Sequence, residues 1–319
     1  MAESPPIEVR GLVKRYGEIT AVDDVDLTVN PGDVFGYLGP NGAGKTTSLR
    51  MMLGLIRPSA GSVRLFGRDP QISVAALEGV AGFVEAPSFY PYLSGLDNLK
   101  LCAALDGKGS TSRIDEVLEI VELRHRADDK VKGYSHGMRQ RLGIASALLR
   151  KPRLLLLDEP ATGLDPAGMR DMRELIRDLG ERGITVLLSS HQMMEVEELC
   201  NRVAIIRSGR VAYEGSLADL RAKAGVSYRL RTTDDARAMD ICSAQPGIEE
   251  VVTSDAGLAF KASDESAVAA LSVALAESGA PILELTPHQA TLEDLFFQLT
   301  EGDGLQRAAK TKQLIEEMA

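Results

Sequence analysis

The chain has 319 residues, a hydrophobic fraction of 44%, a charged fraction of 26% and a formal net charge of −10. This length predicts about two domains, the composition is typical of a soluble globular protein, and the acidic balance disfavours a nucleic-acid partner. We expect no transmembrane helix, no signal peptide and, from three widely spaced cysteines, no disulfide framework or zinc site.

Strand-like and helix-like segments alternate over the first two thirds of the chain. Apolar and polar residues alternate in VDLTV, and VFGYL leads into a glycine-rich segment. The leucine-rich run 153–160 and the run 184–191 have the continuous apolar character of strands buried on both faces. Helical spacing is seen in TSLRMMLGLI, 47–56, and in RIDEVLEIVEL, 113–123. This alternation predicts an α/β fold with a mainly parallel sheet covered by helices.

The pattern changes near Gly215, where a predicted helix leads into a linker. The segments that follow have the order βαββαβ, which is the ferredoxin-like pattern. We therefore expect a first domain over 1–218, a small α+β domain over 219–300 and a polar tail over 301–319. Thr291 and Asp294 are spaced as a capping box before an apolar stripe, which we interpret as a packing face, with a partner-binding face as the alternative.

A glycine-rich segment, GPNGAGKTT, lies between a predicted strand and a predicted helix and has the pattern G-x-x-x-x-G-K-[ST]. Its glycines let backbone N–H groups approach phosphate oxygens, and the helix directs its positive end at the same anion. Lys45 is expected to reach the β- and γ-phosphates, and the Thr46 hydroxyl to bind Mg²⁺. The predicted nucleotide-binding residues of this P-loop are Gly39, Pro40, Asn41, Gly42, Ala43, Gly44, Lys45, Thr46 and Thr47.

Two carboxylates follow the leucine-rich run. Adjacent side chains of a strand point in opposite directions, but the chain turns where a strand ends, so both can face a nucleotide. Asp158 is expected to hold Mg²⁺, and Glu159 to orient and deprotonate the water that attacks the γ-phosphate. A lone Asp-Glu pair is usually a solvated strand end, and the P-loop upstream is what favours the catalytic interpretation.

A serine and a glycine open a predicted helix within YSHGM, residues 134–138, which we call the signature loop. With its motifs in this order, the chain resembles the ATPases of ABC transporters over residues 7 to about 215. The family loop usually reads L-S-G-G-Q, and here Ser135 and Gly137 match it while the other three positions differ. The form is similar to that of bacitracin-, lantibiotic- and multidrug-type ABC-2 exporters. The resemblance implies a P-loop NTPase with a mixed sheet and a helical subdomain at about 86–152.

The resemblance also implies roles for four other residues. Tyr16 matches the aromatic residue that stacks on adenine, Asp165 ends the D-loop ATGLD, and His191 matches the histidine that contacts the γ-phosphate. Glu85 stands where the family usually has glutamine. A carboxylate can bind Mg²⁺ directly or through water but cannot donate a hydrogen bond while ionised, and we assign Glu85 to the metal.

The single P-loop and single signature loop imply a homodimer. In the family, Ser135 and Gly137 of one subunit would close over the γ-phosphate held by Lys45 of the other. A separate integral membrane permease is also implied, which would place the chain at the cytoplasmic face of the membrane. Its expected docking groove includes a cluster that could alternatively be a small local core: Phe89, Tyr90, Tyr92 and Leu93.

The resemblance therefore implies the ATP- and Mg²⁺-dependent ATPase of an exporter for a drug, antibiotic or peptide. An importer ATPase is one alternative, disfavoured by the signature loop, Glu85 and the C-terminal segment. A soluble ABC ATPase acting on ribosomes or DNA is another, disfavoured because the chain has one cassette and no long coiled coil or CxxC between Lys45 and Ser135. Since the permease contacts the transported substance in such systems, drug, peptide, lipid and ion all stay open.

Overall fold

A computed structural model describes residues 4–106, 109–224, 226–254 and 257–289. The chain divides after Leu217 into two compact units, Met1–Leu217 and Ala218–Ala319. The predicted capping box at Thr291 and the tail over 301–319 lie outside the described residues. Within the described part, no helix combines the length and the apolar composition that crossing a membrane demands.

The first unit is built from strands and helices in alternation. Its strands are β1 Ile7–Tyr16, β2 Ile19–Val29, β3 Val34–Leu38, β4 Ala60–Leu65, β5 Val80–Phe83, β6 Leu154–Asp158, β7 Thr185–Ser190, β8 Arg202–Arg207 and β9 Arg210–Ser216. Its helices are α1 Lys45–Met52, α2 Gly95–Asp106, α3 Ile114–Ile120, α4 His136–Leu148, α5 Pro166–Glu181 and α6 Met193–Leu199, and α7 Leu217–Ala224 begins at its last residue. The predicted α/β alternation is therefore present.

A mixed six-stranded sheet forms the centre of this unit, in the order β5-β6-β7-β3-β8-β9. The pairs from β5 to β8 are parallel, and β9 is antiparallel to β8. Every residue of β6 and β7 is buried, as the continuous apolar runs predicted. A second, antiparallel sheet has the order β2-β1-β4. Since β3, β6 and β7 are parallel neighbours, the segments that follow them emerge at one edge of the sheet.

Two helices end earlier than their apolar spacing suggested. Helix α1 ends at Met52, and Gly54 adopts a φ of 69°, the left-handed conformation that commonly terminates helices. Residues 111–113 form a 3₁₀ turn rather than α-helix, and α3 ends at Ile120, two residues before Glu122 with its φ of 57°. The expected helices over 47–56 and 113–123 were therefore too long.

The second unit contains the predicted order βαββαβ. Its elements are β10 Val226–Thr232, α8 Asp235–Ala244, β11 Ile248–Ser254, β12 Gly257–Ala262, α9 Glu265–Glu277 and β13 Ile282–Gln289. They form a sheet in the order β11-β12-β10-β13 with antiparallel neighbours. The carboxylates of Asp234 and Asp264 cap α8 and α9 by accepting backbone N–H groups. The rings of Tyr228 and Phe260 stack with centroids 5.5 Å apart over this unit's core.

Candidate nucleotide-binding site

The P-loop joins β3 to α1 and places Lys45 at the first position of the helix. The Lys45 ammonium is only 5% exposed, and its Nζ donates to the carbonyl oxygens of Gly39 at 2.8 Å and Pro40 at 3.1 Å. A buried charge needs such partners because leaving water is costly. The ammonium is therefore held at the centre of the loop, with the free N–H groups of the α1 N-terminus beside it.

A cavity of about 170 Å³ opens beside this loop. The residues around it are Ala21, Asn41, Gly42, Gly44, Lys45, Thr46, Thr47 and Glu159. The structure therefore places the P-loop and Glu159 around one small cavity. The two segments are distant in the sequence, since Thr46 and the neighbour of Glu159, Asp158, lie 112 positions apart.

Asp158 is the last residue of β6 and is 7% exposed. Its Oδ2 accepts a hydrogen bond from Thr46 Oγ1 at 2.8 Å, and its Oδ1 accepts one from Ser189 Oγ at 2.5 Å. Hydroxyl and carboxylate oxygens are hard donors of the kind that Mg²⁺ prefers, and this cation commonly takes only one or two protein ligands beside phosphate oxygens. The Thr46–Asp158 pair fits a magnesium site by this chemistry.

Glu159 follows with a φ of 47°, which bends the chain as the strand ends. Its Oε1 lies 3.2 Å from Lys45 Nζ, and its Oε2 accepts a hydrogen bond from Thr162 Oγ1 at 2.9 Å. Burial by itself would raise the pKa of Glu159, but the hydrogen bonds from Thr162 and Lys45, with the charges of Lys45 and His191, outweigh it and lower the pKa. The carboxylate is therefore ionised at neutral pH.

His191 lies directly after β7, and its Nδ1 is 3.0 Å from Glu159 Oε2. An ionised carboxylate only accepts, so Nδ1 is the ring nitrogen that carries the hydrogen in this contact. The structure thus joins Lys45, Thr46, Asp158, Glu159 and His191 into one cluster. Their roles in binding and catalysis stay predictions at this point.

Glu85 is not part of this cluster. Its side chain is 67% exposed and forms an ion pair with Arg50, near the end of α1. The charge of the Arg50 guanidinium accounts for the position of this carboxylate. Glu85 is thus bound to Arg50 and not to the Thr46–Asp158 pair, where we expected it to contact a metal. The metal-binding role of Glu85 stays a prediction.

The signature loop lies in a different cavity from the P-loop. Ser135 caps α4 by accepting a hydrogen bond from Met138 N at 3.2 Å, and Asp165 caps α5 by accepting one from Gly168 N at 3.1 Å. Ser135, Gly137 and Asp165 line an open groove of about 1050 Å³, and none of the three lines the P-loop cavity. Within one chain, the described structure does not bring the signature loop to the P-loop.

Tyr16 ends β1 and is 48% exposed, with Lys14 Nζ 5.0 Å from its ring centroid. Because the Lys14 ammonium lies over one ring face, the opposite face is the one available for stacking on a flat base. Two further residues of the cluster were not predicted from the sequence. The Ser189 hydroxyl donates a hydrogen bond to Asp158, and the Thr162 hydroxyl donates one to Glu159. A polar residue inside the buried run 184–191 was the available signal for Ser189, because buried hydroxyls need partners. Thr162 lies in the D-loop ATGLD, but that motif was interpreted only through Asp165.

Comparison with known proteins identifies relatives over almost the whole chain. The family model described as ABC transporter matches residues 22–162. The chain is 38% identical over 298 residues to the bacitracin transport ATP-binding protein BcrA of Bacillus licheniformis, covering 93% of this chain and 97% of that protein. It is 35% identical over 305 residues to a daunorubicin resistance ATP-binding protein of Streptomyces coeruleorubidus, covering 93% and 96%.

Solved structures match the fold as well. One is an ATP-binding subunit of an ABC transporter, with a TM-score of 0.61, 30% identity, and coverage of 68% of this chain and 92% of that one. Another is a dimeric ATP-binding cassette in a post-hydrolysis state bound to ADP and Pi, with a TM-score of 0.59, 26% identity, and coverage of 66% and 98%. The resemblance seen in the motifs is thereby confirmed, and this chain belongs to the ATP-binding proteins of ABC transporters, a family of ATPases.

Proposed function

We propose that this chain is the ATP-hydrolysing subunit of an exporter, working as a homodimer at the cytoplasmic face of the membrane beneath a separate permease. The observation that carries the proposal is the contact network of Lys45, Thr46, Asp158, Glu159 and His191 at one sheet edge, with Ser135 in a separate groove. Because the P-loop and Ser135 of one chain lie in separate cavities, a second copy of the chain would be needed to bring a P-loop and a signature loop together.

Each residue of the network then has a role toward ATP. The backbone of Gly39–Thr47 and Lys45 would bind the phosphates, and the exposed ring of Tyr16 would stack on the adenine. Thr46 and Asp158 would hold Mg²⁺, which when bound neutralises charge on the phosphate oxygens. Ser135, Gly137 and Asp165 of one subunit would face the nucleotide of the other. Glu85 would reach the metal only by leaving Arg50.

Glu159 is suited to act as the general base. It is ionised at neutral pH and can therefore accept a proton from water, and it would become a stronger base when Lys45, whose contact lowers its pKa, binds phosphate instead. His191 fixes the orientation of the carboxylate through Oε2, and Lys45 binds Oε1. Since a neutral imidazole has a single N–H, His191 would contact the γ-phosphate by turning its Nδ1–H from Glu159 to a phosphate oxygen.

Exposed aromatic residues support docking to a permease. Tyr90 and Tyr92 are 54% and 63% exposed, and their ring centroids are 5.8 Å apart. This exposure favours an interface over the alternative of a local core beneath a loop, since aromatic residues are enriched at interfaces. Leu101 and Leu105, one turn apart on α2, are also exposed.

Export is proposed from the relatives, whose names refer to bacitracin transport and daunorubicin resistance. A drug or peptide antibiotic is accordingly the proposed class of cargo. Membrane vesicles containing the chain and its permease would distinguish export from import, because the two directions place the accumulated compound on opposite sides.

The test of the ATPase proposal is Glu159→Gln, with the exposed Glu181→Gln at the end of α5 as the matched control. Loss of a general base should lower turnover by about 10²- to 10⁴-fold. ATP should then convert the Glu159→Gln variant into a stable dimer, detected by light scattering after gel filtration. Undiminished turnover, or a monomer at saturating ATP, would refute the assignment.

A further inference from the structure

His136 occupies a signature-loop position that is glycine in the usual family sequence. It is the first residue of α4, and its ring Nε2 lies 3.0 Å from the carbonyl oxygen of Thr162. A carbonyl oxygen only accepts, so Nε2 carries the hydrogen and the imidazole is the donor. The side chain therefore ties the signature loop to the segment that follows the catalytic carboxylate, 26 positions further along the chain.

Thr162 in turn holds Glu159 by two hydrogen bonds. The Thr162 hydroxyl donates to Glu159 Oε2 at 2.9 Å, and the Thr162 backbone N–H donates to the Glu159 carbonyl oxygen at 3.1 Å. Thr162 is therefore held by its own carbonyl to His136 and by its hydroxyl and N–H to Glu159. A displacement of the Thr162 carbonyl changes the position of the hydroxyl that orients the carboxylate.

The imidazole also lies beside the next residue. A Cβ added to Gly163, whose φ is 77°, would lie 3.5 Å from the His136 ring atoms Cδ2 and Nε2. The ring therefore occupies the space next to the loop that follows Glu159, in addition to its hydrogen bond with Thr162.

We infer that His136 is a positioning residue through which the signature loop of a subunit adjusts the Glu159 of the same subunit. The inference rests on the proposed function, in which this loop closes over ATP held by the partner. Closure displaces His136, the displacement passes to Thr162, and the orientation of Glu159 follows. Hydrolysis at one P-loop is then coupled to nucleotide at the other. A glycine at position 136 has no side chain with which to make this link.

The test uses His136→Ala, with His136→Gln as the conservative variant whose amide N–H can still donate. Glu181→Ala is the control, because Glu181 is exposed at the end of α5 and lines neither the groove nor the P-loop cavity. We expect His136→Ala to lower kcat by about 5- to 10-fold and to bring the Hill coefficient for ATP toward 1, with ATP affinity within about twofold of the unchanged chain. His136→Gln should restore part of the kcat and part of the Hill coefficient, and Glu181→Ala should change neither quantity.

The route through Thr162 is tested independently. Thr162→Ser keeps the hydroxyl and should retain cooperativity, whereas Thr162→Val removes it and should reproduce the effect of His136→Ala. Combining His136→Ala with Thr162→Val should lower kcat no further than the more severe single variant does, because both interrupt one route.

The outcomes separate the inference from the proposed function. If Glu159→Gln forms an ATP-dependent dimer but folded His136→Ala keeps the wild-type kcat and Hill coefficient, the coupling inference is wrong and the proposed function stands. Additive losses in the double variant would also overturn the coupling. If Glu159→Gln neither dimerises nor loses activity, the proposed function itself fails, and this inference fails with it.

Discussion

Replacing Gly44 by alanine should weaken ATP binding by the P-loop, because the backbone around this position leaves no room for a Cβ atom. Gly44 is the N-cap of α1, with a φ of 105° and a ψ of 3° that L-residues rarely adopt. A Cβ there would lie 2.4 Å from the backbone carbonyl oxygen of Ala21, whereas real Cβ contacts essentially never fall below 3.0 Å. The loop or β2 must therefore move by at least about 0.6 Å, the difference between those two distances.

Two energetic terms follow from this geometry. Holding alanine at such a φ costs about 1–3 kcal/mol, which lowers the melting temperature of a unit of this size by about 2–4 °C for each kcal/mol. The forced displacement acts separately, because it moves the N–H groups that would bind phosphate. Each 1.4 kcal/mol of lost binding raises Kd about tenfold, and we expect at least that loss for ATP.

Gly32→Ala provides the matched control. Gly32 has a φ of 79° and nothing within 4 Å of its added Cβ, and it lies in the turn between β2 and β3, outside the P-loop. The Gly32→Ala variant should be destabilised by backbone strain alone, and its affinity for ATP should equal that of the unchanged chain. Calorimetric unfolding and ATP titration of both variants provide the two readouts. Equal ATP affinity in Gly44→Ala and Gly32→Ala would refute the reasoning.

Three further predictions concern stability. Leu156→Ala, at a fully buried position of β6, should lower the free energy of unfolding by about 2–5 kcal/mol in urea, whereas Leu105→Ala, which is 90% exposed, should change it by less than about 0.5 kcal/mol. Equal effects would contradict the packing described for β6. Asp33→Ala removes the acceptor for Asn30 N and Asn201 Nδ2 and should cost about 1–3 kcal/mol; unchanged urea midpoints would contradict this. Burial raises the pKa of Glu195, although a hydrogen bond from Ser190 opposes the shift. The folded state then binds the proton more tightly than the unfolded chain, so stability is lost as pH rises from the ordinary pKa of 4.5 through the raised value. Neutral Glu195→Gln lacks this loss, so its melting temperature relative to the unchanged chain should increase as pH rises from 4.5 toward neutrality; a constant difference would contradict the prediction.

The parts of the fold that depend on local pattern could be predicted from the sequence. The glycine spacing of 39–47 identified a turn between strand and helix, and the apolar runs before Asp158 and His191 identified strands covered on both faces. Because parallel strands end at a common edge, placing these residues together required only the topology. The order of elements in the second unit followed from similar patterns.

The parts that depend on particular side-chain contacts could not be predicted. Glu85 lies 35 positions from Arg50, and the ion pair between them has no periodic signal. The hydrogen bond of His136 to Thr162 also joins segments that are distant in the sequence. In YSHGM, only Ser135 and Gly137 were assigned roles, because these two residues match the family motif. The ends of α1 and α3 were missed because left-handed residues, including a glutamate, stop each helix against its apolar spacing.

The left-handed backbone at Glu159 has a consequence beyond the placement of the carboxylate. A non-glycine residue with this φ adds roughly 1–2 kcal/mol of strain to the native state, and glycine would not. Glu159→Gly would relieve this strain but would also lose the contacts of the carboxylate with Lys45, Thr162 and His191. Under the proposed function, the strained backbone is therefore a cost in stability that accompanies the placement of the general base.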